Sequence, residues 1–193
     1  MQRSLQHWQG EAVTVEYRTF LLNPAIPPEG YDFVPYMQAK FGGRISLQQA
    51  FDGPRRLGAA SGLVFNMDRI SKAPNSVLSH CLIALAPADR RSDLVDDVYA
   101  AYFEHGQDIG DLETLLGIGQ KHGLEAGKLR AELTGGAVKQ QVLQEAEEAY
   151  QLGVDAVPLF VFNRRYGLTG AQPPEVILNA LRQVAARQEG EPA

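Results

Sequence analysis

Few residues of this chain are suited to chemistry: one cysteine, Cys81, and four histidines, His7, His80, His105 and His122. A disulfide needs two sulfurs, so Cys81 closes none within the chain. A zinc or iron–sulfur site built from several cysteines is excluded on the same ground. Cys81 falls in a stretch where Val77, Leu78, Leu82 and Leu85 recur at helical spacing. A cysteine on such a face behaves as a small buried hydrophobe, whereas a reactive thiol needs exposure and a lowered pKa. His80 is its neighbour in sequence, but successive helical side chains point about 100° apart, which makes a poor thiolate–imidazole pair. The segment Tyr102 to Asp111 gathers Glu104, His105, Asp108 and Asp111 without the spacing of a metal-ligand box. It reads as a helix end followed by a capping aspartate. No phosphate-binding glycine loop and no Ser-His-Asp order is present, and Arg164-Arg165 reads as a solvated turn.

The elements that must carry these residues follow from periodicity. Met1 to Gln9 reads as the back half of a helix, ended by Gly10. Val13 to Phe20 alternates and is β-branched, which predicts a strand, and the prolines from Pro24 to Pro28 predict a fixed loop. A helical block follows. Phe33, Tyr36, Met37 and Phe41 share one helical face, and Gly42-Gly43 stops it. A second helix is expected from Ser46 to Phe51, broken by Gly53-Pro54. Pro74 is expected in the first turn of the helix bearing Cys81, which Ala86-Pro87 ends. Leu94, Val95, Val98, Tyr99, Tyr102 and Phe103 mark an amphipathic helix. Asp111 caps the next, which His122-Gly123 ends. Two more helices are expected near Glu125 to Leu133 and along Val138 to Tyr150. Leu159 to Phe162 and Tyr166 to Gly170 then form a β-hairpin. Pro174-Glu175 opens a last helix with Val176, Ile177, Ala180, Leu181 and Val184 inward, and the chain frays from Ala186.

The 193 residues, 45% hydrophobic and 21% charged, fit one domain or one core with an insertion. A net charge of -5 argues against a duplex nucleic acid partner. The opening residues are polar and the longest apolar run is far too short to span a bilayer, so neither a targeting segment nor a membrane partner is expected. With one cysteine, a reducing, cytoplasmic setting is the expectation.

A family resemblance enters at Gly153-Val154-Asp155-Ala156-Val157-Pro158-Leu159-Phe160-Val161-Phe162. This stretch resembles the Gly-Val-x-x-Val-Pro-x-Phe-Val segment of DsbA-like thioredoxin folds. Tyr166 to Glu175, Phe20 to Pro24, Lys40-Phe41-Gly42, Gly62 to Asn66, Pro74 to His80 and Tyr102 to Asp111 are similar to one branch of that superfamily. The branch holds FrnE-like proteins, 2-hydroxychromene-2-carboxylate isomerases and kappa-class glutathione transferases. The resemblance implies an α/β class: a thioredoxin-like fold with an inserted all-helical domain. It assigns residues 1–30 and 153–186 to the core, 31–152 to the insertion with its return helix, and 187–193 to a tail.

Relatives carry a central strand and a Cys-Pro-x-Cys or serine-type segment before the first helix, and no counterpart can be placed in this sequence. A start inside a longer protein, a decayed member, or a strand from elsewhere each account for that gap. The resemblance implies thiol–disulfide oxidoreductase ancestry, with dithiol activity lacking in this chain. A glutathione-dependent isomerase or transferase and a non-catalytic peptide-binding module are the alternatives. It also implies a cis Val157-Pro158 bond, with Val157 and Pro158 receiving an extended substrate. Asn75 and His80 would stand near an interdomain cleft, and Cys81 is the one candidate reactive thiol. No metal or cofactor is implied, glutathione aside. The expected partner is a thiol- or disulfide-containing protein or small molecule, and an open sheet edge would favour a homo-oligomer.

Overall fold

The computed structural model describes residues 1–43 and 45–189. Two compact units divide the chain, one of Met1–Phe20 with Glu147–Ala193 and one of Leu21–Ala146.

The larger unit is mostly helical. Its first pieces are β1 (Tyr31–Asp32) and α2 (Phe33–Phe41), after the short α1 (Gln2–Gln6) of the other unit. α3 (Leu47–Ala60) opens on a reciprocal cap: Ser46 Oγ accepts from the Gln49 N–H at 3.2 Å, and Gln49 Oε1 accepts from the Ser46 N–H at 3.0 Å. The expected break at Gly53-Pro54 does not occur, and the helix runs through both. An interior proline forfeits a backbone bond at about 3 kcal/mol. Packing on either side offsets that loss: Phe51 stacks on Phe33 at 5.8 Å, and Gly58 lies against the Phe65 ring. A 3₁₀ turn (Met67–Arg69) leads to β2 (Lys72–Ala73), which pairs antiparallel with β1. The insertion therefore holds a two-residue strand pair as well as helices.

α4 (Val77–Leu85) begins three residues after Pro74, not at it. Asn75 makes the turn instead, its Oδ1 accepting from the Val77 N–H at 3.0 Å. α5 (Arg91–Phe103), α6 (Leu112–Lys121), α7 (Ala126–Thr134) and α8 (Ala137–Gln151) follow. Asp111 caps α6, its carboxylate accepting from the Thr114 N–H at 2.8 Å, and Glu125 caps α7 likewise. Cys81, Leu82, Leu94, Val98, Leu115, Leu116, Leu129 and Val142 fuse these helices into one core. Phe33, Phe51, Met67 and Ile70 form a second.

In the smaller unit β3 (Leu159–Phe162) and β4 (Tyr166–Thr169) form the hairpin, and α9 (Pro174–Glu189) covers one face. Asn163 and Arg164 take left-handed backbone at the turn, and the Arg165 N–H donates to Phe162 O at 3.0 Å. Phe162, Ile177, Leu181 and Val184 make the core, with Met1, Leu5, Trp8 and Phe160 packed on it. The Ser4 hydroxyl donates to Pro174 O at 2.9 Å, fastening α1 to the start of α9.

Three expectations fail here. Val13 to Phe20 is irregular, because alternation alone makes no strand without a ladder partner. Among the described residues the two sheets are β1–β2 and β3–β4. Val176, expected inward, is 36% exposed, since the buried stripe runs Ile177, Leu181, Val184. The helix continues to Glu189 instead of fraying at Ala186, and residues 190–193 of the expected tail lie outside the described residues.

Two glycines with positive φ separate backbone strain from crowding. A Cβ on Gly123 (φ 82) would meet nothing within 4 Å, whereas one on Gly106 (φ 67) would overlap the Arg69 carbonyl. Gly123→Ala should cost about 1–2 kcal/mol, the left-handed penalty alone. Gly106→Ala should cost at least about 2 kcal/mol more, because backbone on both sides must move. Urea unfolding of the two variants measures the difference, and equal losses would show that the Gly106–Arg69 approach does not exist.

Candidate functional site

The hairpin places Val157 and Pro158 at the start of β3. Their peptide bond is cis. Pro158 O accepts from the Gly170 N–H at 2.8 Å, which ties the loop to the residue after β4. The Val154 N–H donates to Ala149 O at 3.0 Å, so the chain leaves α8 and reaches Val157 through a short anchored connection. Val157 is 42% exposed, an apolar residue held at the surface.

Asn75, His80 and Cys81 lie in the other unit, on and before α4. Both ends of the Asn75 amide are engaged: Nδ2 donates to Ile26 O at 2.6 Å while Oδ1 makes the turn at Val77. Asn75 therefore links the proline-rich loop to the start of α4. His80 is half-buried; burial holds its pKa below the usual imidazole value, and Glu145 opposes that shift. Cys81 is fully buried at 0% exposure. Burial pushes its thiol from 9.0 up to about 11, against a smaller opposing pull from Lys139. A thiol in that state is the opposite of a poised nucleophile.

The Tyr102 to Asp111 stretch is structural. The Tyr102 hydroxyl donates to Lys72 O at 3.1 Å, and burial, followed by the charge of Asp108, pushes its pKa far up. Asp108 Oδ1 accepts from the Gly110 N–H at 2.8 Å. Among the described residues no group of three or more His, Cys, Asp or Glu side chains could hold a metal ion. No helix among them is long and apolar enough to cross a membrane.

Two features escaped the sequence. His122 Nε2 lies 3.1 Å from Asp97 Oδ2, joining α6 to α5. A shallow cavity of about 300 Å³ is lined by His7, Trp8, Gly10, Arg182, Ala185 and Ala186. Its walls come from opposite ends of the chain, so no local pattern announces it.

A family model for the DSBA-like thioredoxin domain matches residues 1–182. The chain belongs to the DSBA-like thioredoxin family. Among solved structures, this DSBA-like chain is similar to a probable DsbA oxidoreductase from Streptomyces coelicolor, at 34% identity and a TM-score of 0.76, with 91% of this chain and 75% of that one covered. It is also similar in fold to a 2-hydroxychromene-2-carboxylate isomerase, at 16% identity and a TM-score of 0.58, with 83% of this chain and 81% of that one covered. No curated protein matches it. The fold is thus the DSBA-like thioredoxin fold, largely helical with a small sheet.

The Cys81 environment sets a pH signature for this DSBA-like chain. The folded protein keeps the thiol proton up to about 11, and the unfolded chain releases it near 9.0. Between those values the unfolded state binds fewer protons, so stability falls as pH rises. The full loss is on the order of 2–3 kcal/mol. Cys81→Ala should flatten that part of the slope in urea unfolding at alkaline pH. An aromatic disulfide reagent should label Cys81 in denaturant but not in the folded protein at neutral pH. Rapid labelling of the folded protein would contradict its burial.

Proposed function

We propose that this chain is a DsbA-like binding protein of the cytoplasm that accepts an extended thiol- or disulfide-bearing partner at Val157–Pro158 without running dithiol–disulfide exchange itself. One observation carries the reading: the single cysteine is wholly buried, with its thiol pushed up to about 11. Exchange requires a thiolate to attack a disulfide sulfur, then a second thiol to resolve the mixed disulfide. Cys81 supplies neither, being protonated at neutral pH and without a partner cysteine in the chain. A lone buried thiol also suits a reducing compartment.

Family membership supports the binding half of the proposal, and so does the exposed Val157 at the head of β3. An apolar side chain held at a strand's start can seat an extended backbone, with affinity from main-chain hydrogen bonds and selectivity from flanking side chains.

Insulin reduction by dithiothreitol should proceed at the same rate with and without the protein, and Cys81→Ala should change nothing. A fluorescent peptide containing cysteine should bind reversibly, and Val157→Asp should weaken that binding by about tenfold, equal to about 1.4 kcal/mol. Insulin reduction that disappears in Cys81→Ala would overturn the non-catalytic reading. Peptide affinity indifferent to Val157→Asp would overturn the site.

A further inference from the structure

A short helix whose own residues disfavour it lasts only while its neighbours hold it. α3 is such a helix. Pro54 removes an interior backbone bond, and Gly53 and Gly58 add two poor helix formers to the same segment. Its fastenings are few. Of its 14 residues Phe51 and Gly58 are buried, whereas the 10 residues of α6 bury Leu115, Leu116, Ile118 and Gly119. Phe51 stacks on Phe33 and meets Phe41 edge-on at 6.4 Å, and Gly58 lies against the Phe65 ring. Arg55 reaches Asp68 at 2.9 Å, but the Asp68 side chain is 92% exposed, so that pair adds little.

These contacts belong to the core of Phe33, Phe51, Met67 and Ile70. The core that joins α4 to α8, from Cys81 to Val142, holds no residue of α3 among the described residues. We propose that α3 is a strap that undocks and melts in one step while α4 to α8 stay folded, uncovering Phe33, Phe65 and Met67. Undocking and melting are one event, because a helix carrying Gly53, Pro54 and Gly58 does not persist once Phe51 leaves Phe33. α2 stays in place, since the Phe33 N–H donates to Ser71 O at 2.9 Å beside the β1–β2 pair. The opening breaks a few contacts of one core and none of the other, so it lies well below global unfolding in free energy.

The test is hydrogen exchange of the full chain at neutral pH without peptide, so its outcome is independent of the ligand reading. Amides from Phe51 to Ala60 should exchange at least about 100-fold faster than those around Leu82 and Leu115, which wait for global unfolding. Val142→Ala weakens the α4–α8 core, which is intact in both the closed and the open strap. It should speed exchange in α4 and α6 at least about tenfold and leave α3 unchanged. Pro54→Ala restores the backbone donor and should slow α3 exchange at least about tenfold. If Val142→Ala fails to fold, Pro54→Ala decides, since it removes a helix breaker. Equal protection of α3 and α4 overturns the proposal. So does a Val142→Ala variant that speeds α3 as much as α6, or α3 exchange indifferent to Pro54→Ala.

Discussion

The two-residue period of β3 is the constraint on which the smaller unit depends. Its side chains alternate between the α9 face and the opposite face, while its peptide groups alternate between β4 and the opposite edge. Phe160 and Phe162 are committed twice, to the core with Ile177, Leu181 and Val184 and to the ladder with Leu168 and Tyr166. A slip of one residue would exchange buried and exposed sets together. The Pro158–Gly170 bond fixes that register at the strand's head, and the Asn163–Arg164 turn fixes it at the other end. Val157 is presented at the surface at the head of a strand whose Phe160 and Phe162 are committed to core and ladder.

The chemistry of the chain is separated from its fold. A thiol becomes acidic at a helix N-terminus, where unpaired N–H groups and the helix dipole stabilise the thiolate. Cys81 is instead the fifth residue of α4, with its neighbours in the core being Leu82, Leu94 and Leu115. Desolvation dominates there, and the nearby Lys139 only partly offsets it. His80 shows the same balance from the other side: burial disfavours its charge more than Glu145 favours it. α4 therefore contributes packing through Cys81 and Leu82, and Asn75 links the proline-rich loop to the start of the helix.

Most of the helices were legible because their signals are local. Asp111, Glu125 and Gly123 mark helix ends by hydrogen bonds or backbone angles that span only a few residues. The hairpin was legible for the same reason. The errors came where a distant partner decides. Pro54 has the look of a breaker until Phe33 and Phe65 are placed against the helix on either side of it. Val13 to Phe20 has the alternation of a strand, but a ladder needs a second chain segment, which no local pattern supplies. The burial of Cys81 was readable from leucine spacing. The Asp97–His122 pair and the cavity beside Trp8 were not, because their residues meet only after folding.

The two units also differ in how they satisfy their backbones. A helix closes its own hydrogen bonds, so α4 to α8 need only side-chain contacts and caps to be complete. A strand cannot do so, and each one has two edges to satisfy. β3 gives one edge to β4, and the peptide groups of Leu159 and Val161 point away from that partner. The alternation that sends Phe160 and Phe162 into the core thus also decides which peptide groups β4 satisfies, so packing and pairing fix the same register.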